Sequence, residues 1–373
     1  MIYFRKFLVS VSVVTALFIC SGWGSAAHRK INEHAPSSLP GSMSFLKASW
    51  TIVLAEHGSD ADKRKSWDPD EGPKHYIDID DYPEFLLNGR IPQTYDSVCA
   101  IHGESFVIEK GTLPWATLIT FDSLRSCFTR MDWDKAGLFA ADLGHYVADG
   151  HQPMHLTRNY DGQYTGQNGI HSRYETKMIG KYISQILYPD DTVTYIENVS
   201  DYIFSYIYFN YSLVDSILLA DSSAHALSGS ITSDQYYSLL WGASKGFTTD
   251  LFKRAGSSLA GLIYTAWVEA GSPVMPPYAL DELMAGNTLS LMNLPNPFIS
   301  ETWIRFNLRD DASPVLLKVY DITGNLVEVL QDGYLNTGMN EIRWDARRCK
   351  PGVYYISLIA GSDTRTIKAI LFD

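Results

Sequence analysis

Two pairs of histidine and acidic residues, each four positions apart, most constrain how this chain of 373 residues can fold. His145 and Asp149 form one pair, His171 and Glu175 form the other, and His155 lies between them. Residues four apart share a face of an α-helix, so the spacing predicts two helices that each present a pair of ligands. Imidazole and carboxylate groups suit zinc in catalytic sites. The sequence therefore predicts a metal site at these helices.

The first 22 residues have the pattern of a secretory signal peptide. Arg5 and Lys6 precede an apolar run at residues 7–19, and small residues follow that run. The run is too short for a typical membrane span. Cleavage after Gly22 would leave a mature chain that begins at Trp23, and an uncleaved anchor is the alternative.

The charge and the cysteines limit the classes of function. The net charge of −12 gives no general attraction to a polyanion. Bound zinc ions would offset this charge locally, so a phosphate substrate is compatible with it. Cys99, Cys127 and Cys349 follow the predicted cleavage point, and one bridge between Cys99 and Cys127 is an open alternative. Their spacing fits neither a disulfide framework nor a cysteine-rich zinc site, so nitrogen and oxygen atoms would hold the metal.

The hydrophobic pattern divides the chain into a helical part and a β part. Residues 23–277 show apolar side chains at helical spacing, and residues 278–292 have the composition of a linker. After Pro297 the period changes from about 3.6 to two. Candidate strands lie at residues 303–308, 315–320, 340–344 and 353–358. The predicted architecture is an all-α domain at 23–277 followed by a small all-β sandwich at 293–373.

A multi-metal centre needs more ligands than the first five, because a catalytic zinc ion takes about three from the protein. The N-terminal quarter of the chain supplies candidates. His75 begins the segment HYIDID, and Asp60 precedes it in GSDADKRK, with Asp62 as a rival in the same segment. His28 follows Trp23 closely, directly after the predicted cleavage point.

Together these residues resemble the superfamily that joins zinc-dependent phospholipase C to the single-strand-specific zinc nucleases. The resemblance covers about residues 23–270 and rests on several separated spacings, including HYIDID at 75–80 and GHYVADGHQPMH at 144–155. It implies an all-α catalytic domain with three clustered zinc ions. The ligands that it implies are Trp23, His28, Asp60, His75, His145, Asp149, His155, His171 and Glu175.

The resemblance implies hydrolysis of phosphodiesters by water that the zinc ions activate, since bound metal can lower the pKa of water from about 15.7 toward about 7. Asp60 is the predicted catalytic residue, which would both ligate metal and orient or deprotonate the attacking water. Trp23 would ligate through its α-amine and carbonyl. An α-amine has a pKa of about 8, so it loses its proton readily beside zinc. Signal cleavage would then create a ligand.

Two classes of phosphodiester fit the sequence. The spacing of Trp23 and His28 resembles the nucleases, as do Tyr76 and Asp78, which would stack on a base and read its edge. GTLPW at 111–115 and the segment that ends in Glu175 resemble the phospholipases C, and the acidic charge adds slight weight against nucleic acid. We predict a phospholipase C-like enzyme that acts as a monomer and makes peripheral membrane contact.

The alternative is a single-strand-specific nuclease or 3′-nucleotidase, whose substrate would be single-stranded nucleic acid or a nucleotide. A non-catalytic zinc-binding surface module is the second alternative. Purely structural zinc sites are usually closed and often rich in cysteine, which argues against it.

The C-terminal segment carries a distinctive order of motifs. NLPNPF at 293–298, LKVYDITGNLVEVL at 317–330 and GVYYISL at 352–358 resemble a type IX secretion sorting domain, which is a small immunoglobulin-like sandwich. The resemblance implies contact with the secretion machinery, export across an outer membrane, and a secreted or surface-attached protein. A carbohydrate-binding or spacer sandwich is the alternative. No histidine follows His225, so we expect the chemistry in the helical domain.

Overall fold

Helices build the N-terminal part of the computed structural model, which describes residues 24–189, 191–274, 290–308, 314–361 and 363–372. Its α-helices are α1 (Ser25–His34), α2 (Ser44–His57), α3 (Asp60–Arg64), α4 (Pro83–Asn88), α5 (Tyr95–His102), α6 (Glu104–Glu109), α7 (Leu113–Thr129), α8 (Trp133–Gly150), α9 (Ile170–Ser172), α10 (Ile179–Tyr182), α11 (Val199–Tyr211), α12 (Val214–Ser228) and α13 (Asp234–Glu269). Short 3₁₀ turns lie at Ala35–Ser38, Gly41–Met43, Gly72–His75, Ile79–Asp81, Pro153–His155 and Ile183–Gln185.

The chain separates into two compact units, Met1–Pro273 and Val274–Asp373. The first unit is helical and the second is β, which confirms the predicted fold class. The predicted signal peptide, Trp23 and most of the predicted linker lie outside the described residues. The described part of the linker includes Ser290, where the first strand begins.

Two long helices organise the helical unit. The carboxylate of Asp132 caps α8 by accepting from the backbone N–H of Lys135 at 3.4 Å. The hydroxyl of Ser233 caps α13 by accepting from Tyr236 N–H at 3.1 Å. With 36 residues, α13 is about 54 Å long. It packs against α7, α8 and α12, so the helix that carries His145 is held against a rigid support.

The residues beside the predicted ligands anchor them in the hydrophobic core. One buried cluster includes Ala27, Ala148, Met154 and Tyr174, and another includes Tyr146 and Leu156. Each of these residues adjoins a predicted ligand in the sequence. Burying a large apolar side chain contributes about 1.5–3 kcal/mol, so turning a ligand away from the site would also withdraw its neighbour from the core.

The helix predicted after Gly169 has an unusual centre. α9 continues into a π-helical segment, Arg173–Met178, which is followed by α10. Gly169 precedes it with φ 86°, in the left-handed region that favours glycine. π-Helical turns are rare and occur frequently at functional sites. The regular helix that follows the π-helical segment ends at Tyr182.

One stretch, Val199–Ser228, is long and apolar enough to cross a membrane by length and composition alone. It consists of α11 and α12, which are separate helices. Ile203, Phe204 and Ile207 are fully buried in it and pack in the core of the helical unit. Core helices meet the same criterion, so the stretch is weak evidence for a membrane span.

The β unit is a sandwich of two antiparallel sheets. Its strands are β1 (Ser290–Leu294), β2 (Glu301–Leu308), β3 (Pro314–Asp321), β4 (Leu326–Tyr334), β5 (Gly338–Asp345), β6 (Gly352–Ala360) and β7 (Asp363–Leu371). One sheet has the order β1-β2-β5 and the other has the order β4-β3-β6-β7. Phe306, Val319 and Trp344 come from both sheets and share one buried cluster.

The cysteines of the described residues form no disulfide. Cys99, Cys127 and Cys349 are all free, so the bridge left open between Cys99 and Cys127 is not present. Cys127 is buried, and burial raises the pKa of its thiol, which keeps it protonated and unreactive.

Candidate metal centre

Among the described residues of the helical unit, histidine and acidic side chains form three groups, and the ligand atoms of each group are within 4.8 Å of one another. The first ligand group is His28, His145 and Asp149; the second is Asp62, His75 and His145; the third is His155, His171 and Glu175. All of these side chains except Asp62 are buried. His145 belongs to two groups, so the first and second groups are adjacent.

The first ligand group is closed off from solvent. α1 supplies His28, α8 supplies His145 and Asp149, and none of the three has exposed surface. The rings of His28 and His145 stack with centroids 3.8 Å apart, and His28 Nε2 lies 3.5 Å from Asp149 Oδ1. Burial, together with the charge of His145, lowers the pKa of His28 to about 3. The ring is therefore neutral and can offer a lone pair to a metal.

The second ligand group joins α3, α8 and the 3₁₀ turn that ends at His75. His75 Nδ1 lies 3.0 Å from His145 Nε2. Asp62 Oδ1 lies 3.7 Å from each of these nitrogens. Burial opposes the charge of Asp62, but the charge of His145 and of further neighbours such as Lys65 together outweigh burial and lower the pKa of this carboxyl. Asp62 is therefore ionised and able to ligate.

Asp149 connects the first two ligand groups. Its Oδ2 lies 3.0 Å from His75 Nδ1 and 3.3 Å from His145 Nε2, whereas its Oδ1 faces His28. Although burial alone would raise it, the charge of His145 and hydrogen bonds from the histidines hold the pKa of Asp149 well below its usual range. Each oxygen of this ionised carboxylate can ligate a different ion.

The third ligand group includes the π-helical segment. Glu175 Oε2 lies 2.9 Å from His171 Nε2 and 3.3 Å from His155 Nε2. The amide of Gln152 donates to the same oxygen at 3.1 Å. Burial would raise the pKa of Glu175, but the charge of His171 and further hydrogen bonds lower it to about 2. This carboxylate is therefore ionised near neutral pH.

Backbone carbonyls hold three of the histidines in one tautomer. The Nδ1–H groups of His145, His155 and His171 donate to the carbonyls of Gly58, His75 and Tyr160 at 2.8, 2.7 and 3.1 Å. A carbonyl only accepts, so each neutral ring carries its lone pair on Nε2, which faces the other ligand atoms. Proteins orient metal-ligating histidines in this way.

The atoms at the centre of the cluster require positive charge between them. The Nε2 atoms of His155 and His171 are both acceptors in the neutral rings, yet they lie 3.2 Å apart. Burial lowers the pKa of His155, but Asp149 and Glu175 raise it to about 9, so the site draws in a proton. Asp149 Oδ1 and Glu175 Oε1 have no hydrogen-bond partner within the described ranges. A cation would satisfy all of these atoms, and the nitrogen and oxygen donors fit zinc.

Asp60 lies outside the three ligand groups, although the sequence favoured it as a ligand and as the catalytic residue. His57 Nδ1 and Lys63 Nζ pair with its carboxylate at 2.6 and 2.7 Å. Asp62 occupies the position that faces His75 and His145. Residues two apart on a helix project roughly 200° apart, so α3 turns only one of the two aspartates toward the site. The ligand group with His75 and His145 therefore contains Asp62, the rival that the sequence left open, and not Asp60.

A cleft with a volume of about 800 Å³ borders the second and third ligand groups. Asp62, His75, His155 and His171 form part of its wall. Lys65 also lines it, with its ammonium 2.5 Å from Asp62 Oδ1. The sequence did not single out Lys65, although its spacing from Asp62 places both side chains on one face of a helix. The cleft gives a substrate access to two of the three groups.

Both predicted substrate-binding residues, Tyr76 and Asp78, line the cleft. The hydroxyl of Tyr76 donates to the Glu109 carbonyl at 3.0 Å, which fixes the ring. Burial raises the pKa of Asp78 to about 7, although Lys110 opposes the shift. The carboxyl of Asp78 is therefore partly protonated near neutral pH and can donate a hydrogen bond as well as accept one.

Trp23 lies outside the described residues, and Gly24 is the first residue described. A Cβ atom at Gly24 would lie 3.4 Å from Thr176 Oγ1. Thr176 directly follows Glu175, so the chain enters the helical unit beside the segment that carries a ligand of the third group.

Residues 294–372 match the family model of the secretion system C-terminal sorting domain. The match covers the β unit and confirms the predicted sorting domain. It indicates type IX secretion, interaction with the secretion machinery, and a protein that is secreted or attached to the cell surface.

Two solved structures are similar over most of the chain, at low identity. The alpha toxin from Clostridium absonum is 11% identical, with coverage of 94% of this chain and 95% of that chain and a TM-score of 0.38. The alpha-toxin of Clostridium perfringens from an avian strain is also 11% identical, with coverage of 92% and 96% and a TM-score of 0.42. No curated protein matches the sequence significantly. Similarities of this degree do not establish an activity.

Proposed function

We propose that the helical unit is a zinc-dependent phosphodiester hydrolase with phospholipase C-like specificity. The observation that carries the proposal is that two of the three ligand groups border one cleft, with the first group buried directly behind them through the shared His145. A catalytic zinc site combines about three nitrogen or oxygen ligands with a position for water or substrate. The second and third ligand groups border the cleft, which supplies that position.

Each part of the site has a proposed role. Zinc ions held by the three ligand groups would neutralise phosphate charge and lower the pKa of a bound water toward about 7. Trp23 would complete the first group through its α-amine and carbonyl. Asp62 ligates in place of Asp60, and its cleft-facing carboxylate can also accept a hydrogen bond from the attacking water. The ammonium of Lys65 can pair with a phosphate oxygen.

Several features favour a phospholipid over a nucleic acid. The last ligand is Glu175, as in the phospholipase C branch that the sequence resembles. The net charge of −12 opposes a polyanion. Asp68 and Asp78 add acidic groups to the cleft wall, and the rings of Tyr76 and Tyr160 offer faces to a cation. We therefore propose a phospholipid with a cationic head group as the substrate.

The direct test is a comparison of zinc content and substrate turnover in the full-length secreted protein. We expect about three zinc ions per chain by mass spectrometry, hydrolysis of bis-p-nitrophenyl phosphate, and faster release of head group from phosphatidylcholine vesicles than of nucleotides from single-stranded DNA. Zinc binding without turnover of any of these substrates would refute the enzyme and leave a zinc-binding surface module.

The two aspartates of α3 form a matched pair of variants. Asp62→Asn should lower zinc occupancy and turnover together, because it neutralises a side chain that faces His75 and His145. Asp60→Asn should retain both, because Asp60 pairs with His57 and Lys63 instead. The reverse ranking would restore Asp60 as the ligand.

A nuclease is the second candidate, and the position of Tyr76 and Asp78 in the cleft wall favours it. An aromatic ring and a carboxyl that can both donate and accept would suit a base. If the protein is a nuclease, Asp78→Ala should slow the cleavage of single-stranded DNA more than that of bis-p-nitrophenyl phosphate, which has no base. Equal effects on the two substrates would remove this support.

A further inference from the structure

Glu71 is a buried carboxylate next to the second ligand group, and it lies outside the three ligand groups. Only 1% of its surface is exposed. Tyr146 donates its hydroxyl to Glu71 Oε1 at 2.5 Å, and Lys74 donates to Oε2 at 2.9 Å. The guanidinium of Arg64 pairs with the same carboxylate at 3.3 Å. Two cationic side chains and a hydroxyl therefore surround this buried carboxylate.

The same carboxylate faces a ring nitrogen of His75. Glu71 Oε1 lies 3.5 Å from His75 Nε2, while His75 Nδ1 points to the ligand atoms of Asp149 and His145. A carboxylate only accepts, so it favours the tautomer with hydrogen on Nε2 and a lone pair on Nδ1. The other three histidines with a defined tautomer show the opposite arrangement, with Nε2 toward the ligand atoms.

The partners of Glu71 also connect the elements that carry ligands. Arg64 lies on α3 with Asp62, and its Nη1 donates to Asp142 of α8 at 3.0 Å. Tyr146 follows His145 on α8. The carboxylate of Glu71 therefore joins α3, the turn that ends at His75, and α8. Arg64 takes part in this network through both Glu71 and Asp142.

We propose that Glu71 is a positioning residue, which holds His75 in the tautomer that ligates zinc through Nδ1 and fixes the second ligand group. The inference rests on the proposed zinc centre. Carboxylate partners of metal-ligating histidines have this role in many zinc sites, and their loss typically weakens metal affinity or activity ~10–100-fold.

The test uses Glu71→Gln in the full chain, with zinc affinity measured against a competing chelator and zinc content measured by mass spectrometry. We expect one zinc ion to be released ~10–100-fold more readily, while the other ions and the circular dichroism spectrum are retained. Glu84→Gln is the matched control, because Glu84 pairs with His102 at 2.7 Å away from the ligand groups. It should leave zinc affinity unchanged.

Long-range ¹H–¹⁵N spectra of the zinc-loaded wild-type protein test the same idea without a mutation. His75 should show a zinc-bound Nδ1 and a protonated Nε2, whereas His155 and His171 should show the reverse. A zinc-bound Nε2 on His75 would overturn the proposal, as would Glu71→Gln with unchanged zinc affinity or with equal loss of all ions. A wild-type protein that binds no zinc would overturn the proposed function as well.

Discussion

Replacing Asp149 by asparagine should damage the metal centre more than any change confined to one ligand group. Asp149 directs Oδ1 toward His28 and Oδ2 toward His75 and His145. Asparagine keeps the shape of the side chain, but it removes the charge and turns one oxygen into a donor. Both the first and second ligand groups should therefore lose affinity for zinc.

The expected size follows from the burial of the site. Asp149 has no exposed surface, and removing one partner of a buried charge pair costs about 3–5 kcal/mol. At about 1.4 kcal/mol per factor of ten, that loss corresponds to roughly two to three and a half orders of magnitude in zinc affinity. His155→Ala removes a ligand from the third group alone, so it should release one ion where Asp149→Asn releases two.

The assay is zinc content per chain after dialysis against buffered zinc, combined with kcat/KM on bis-p-nitrophenyl phosphate. Circular dichroism of each variant checks that the helices persist, and Glu84→Gln again serves as the control. Equal losses of zinc from Asp149→Asn and His155→Ala would refute the bridging role of Asp149. A variant that keeps full zinc content after Asp149→Asn would refute the metal centre at α8.

Three further outcomes are expected. Removing zinc with a chelator should lower the Tm, because the buried ligands then repel one another. Zinc at 1,000 times its Kd would stabilise the fold by about 4 kcal/mol. A Tm unchanged by chelation would contradict the site. Burial, opposed by Lys110, raises the pKa of Asp78 to about 7 in the folded chain, so this group costs stability as the pH rises from about 4 to about 7. In urea unfolding at pH 8, the Asp78→Asn variant should therefore be more stable than the wild type by on the order of 1–2 kcal/mol after screening. At pH 4 the free energies of unfolding of the two proteins should be similar. An equal difference at both pH values would argue against the buried carboxyl. An extra residue before Trp23 should reduce zinc content and turnover, because the α-amine would be displaced; full occupancy in the extended chain, measured by mass spectrometry, would remove Trp23 from the ligands.

The helices of the site could be predicted because their ligands repeat at helical spacing. His145 and Asp149 lie on α8 with Nε2 and Oδ2 3.3 Å apart, as residues four apart on one face should. The π-helical turn around Glu175 could not be predicted, since the same four-residue spacing also fits a regular α-helix. Arg173 at the start of this turn pairs with Asp221 of α12, a contact between residues 48 positions apart that the local sequence does not indicate.

In the β unit, the sequence pattern identified some strands and missed others. Strands such as β3 alternate between buried and half-buried residues, and the sequence pattern located them. β4 lies at the edge of its sheet, and its first four residues are all exposed. Side chains that face solvent on both sides give no alternation, so periodicity did not identify β4 as a strand.

The choice between Asp60 and Asp62 depends on the orientation of α3 as well as on the spacing of the residues. α3 is a single short turn whose two aspartates project from nearly opposite sides, so the orientation of the turn decides which one faces the site. Two contacts accompany that orientation: His57 at the end of α2 pairs with Asp60, and Arg64 at the end of α3 donates to Asp142 on α8. The first contact spans only three residues, whereas the second joins residues 78 positions apart and lies beyond the reach of local sequence pattern. Breaking the second contact with Asp142→Asn should therefore loosen Asp62 and lower zinc affinity, although Asp142 lies outside the ligand groups.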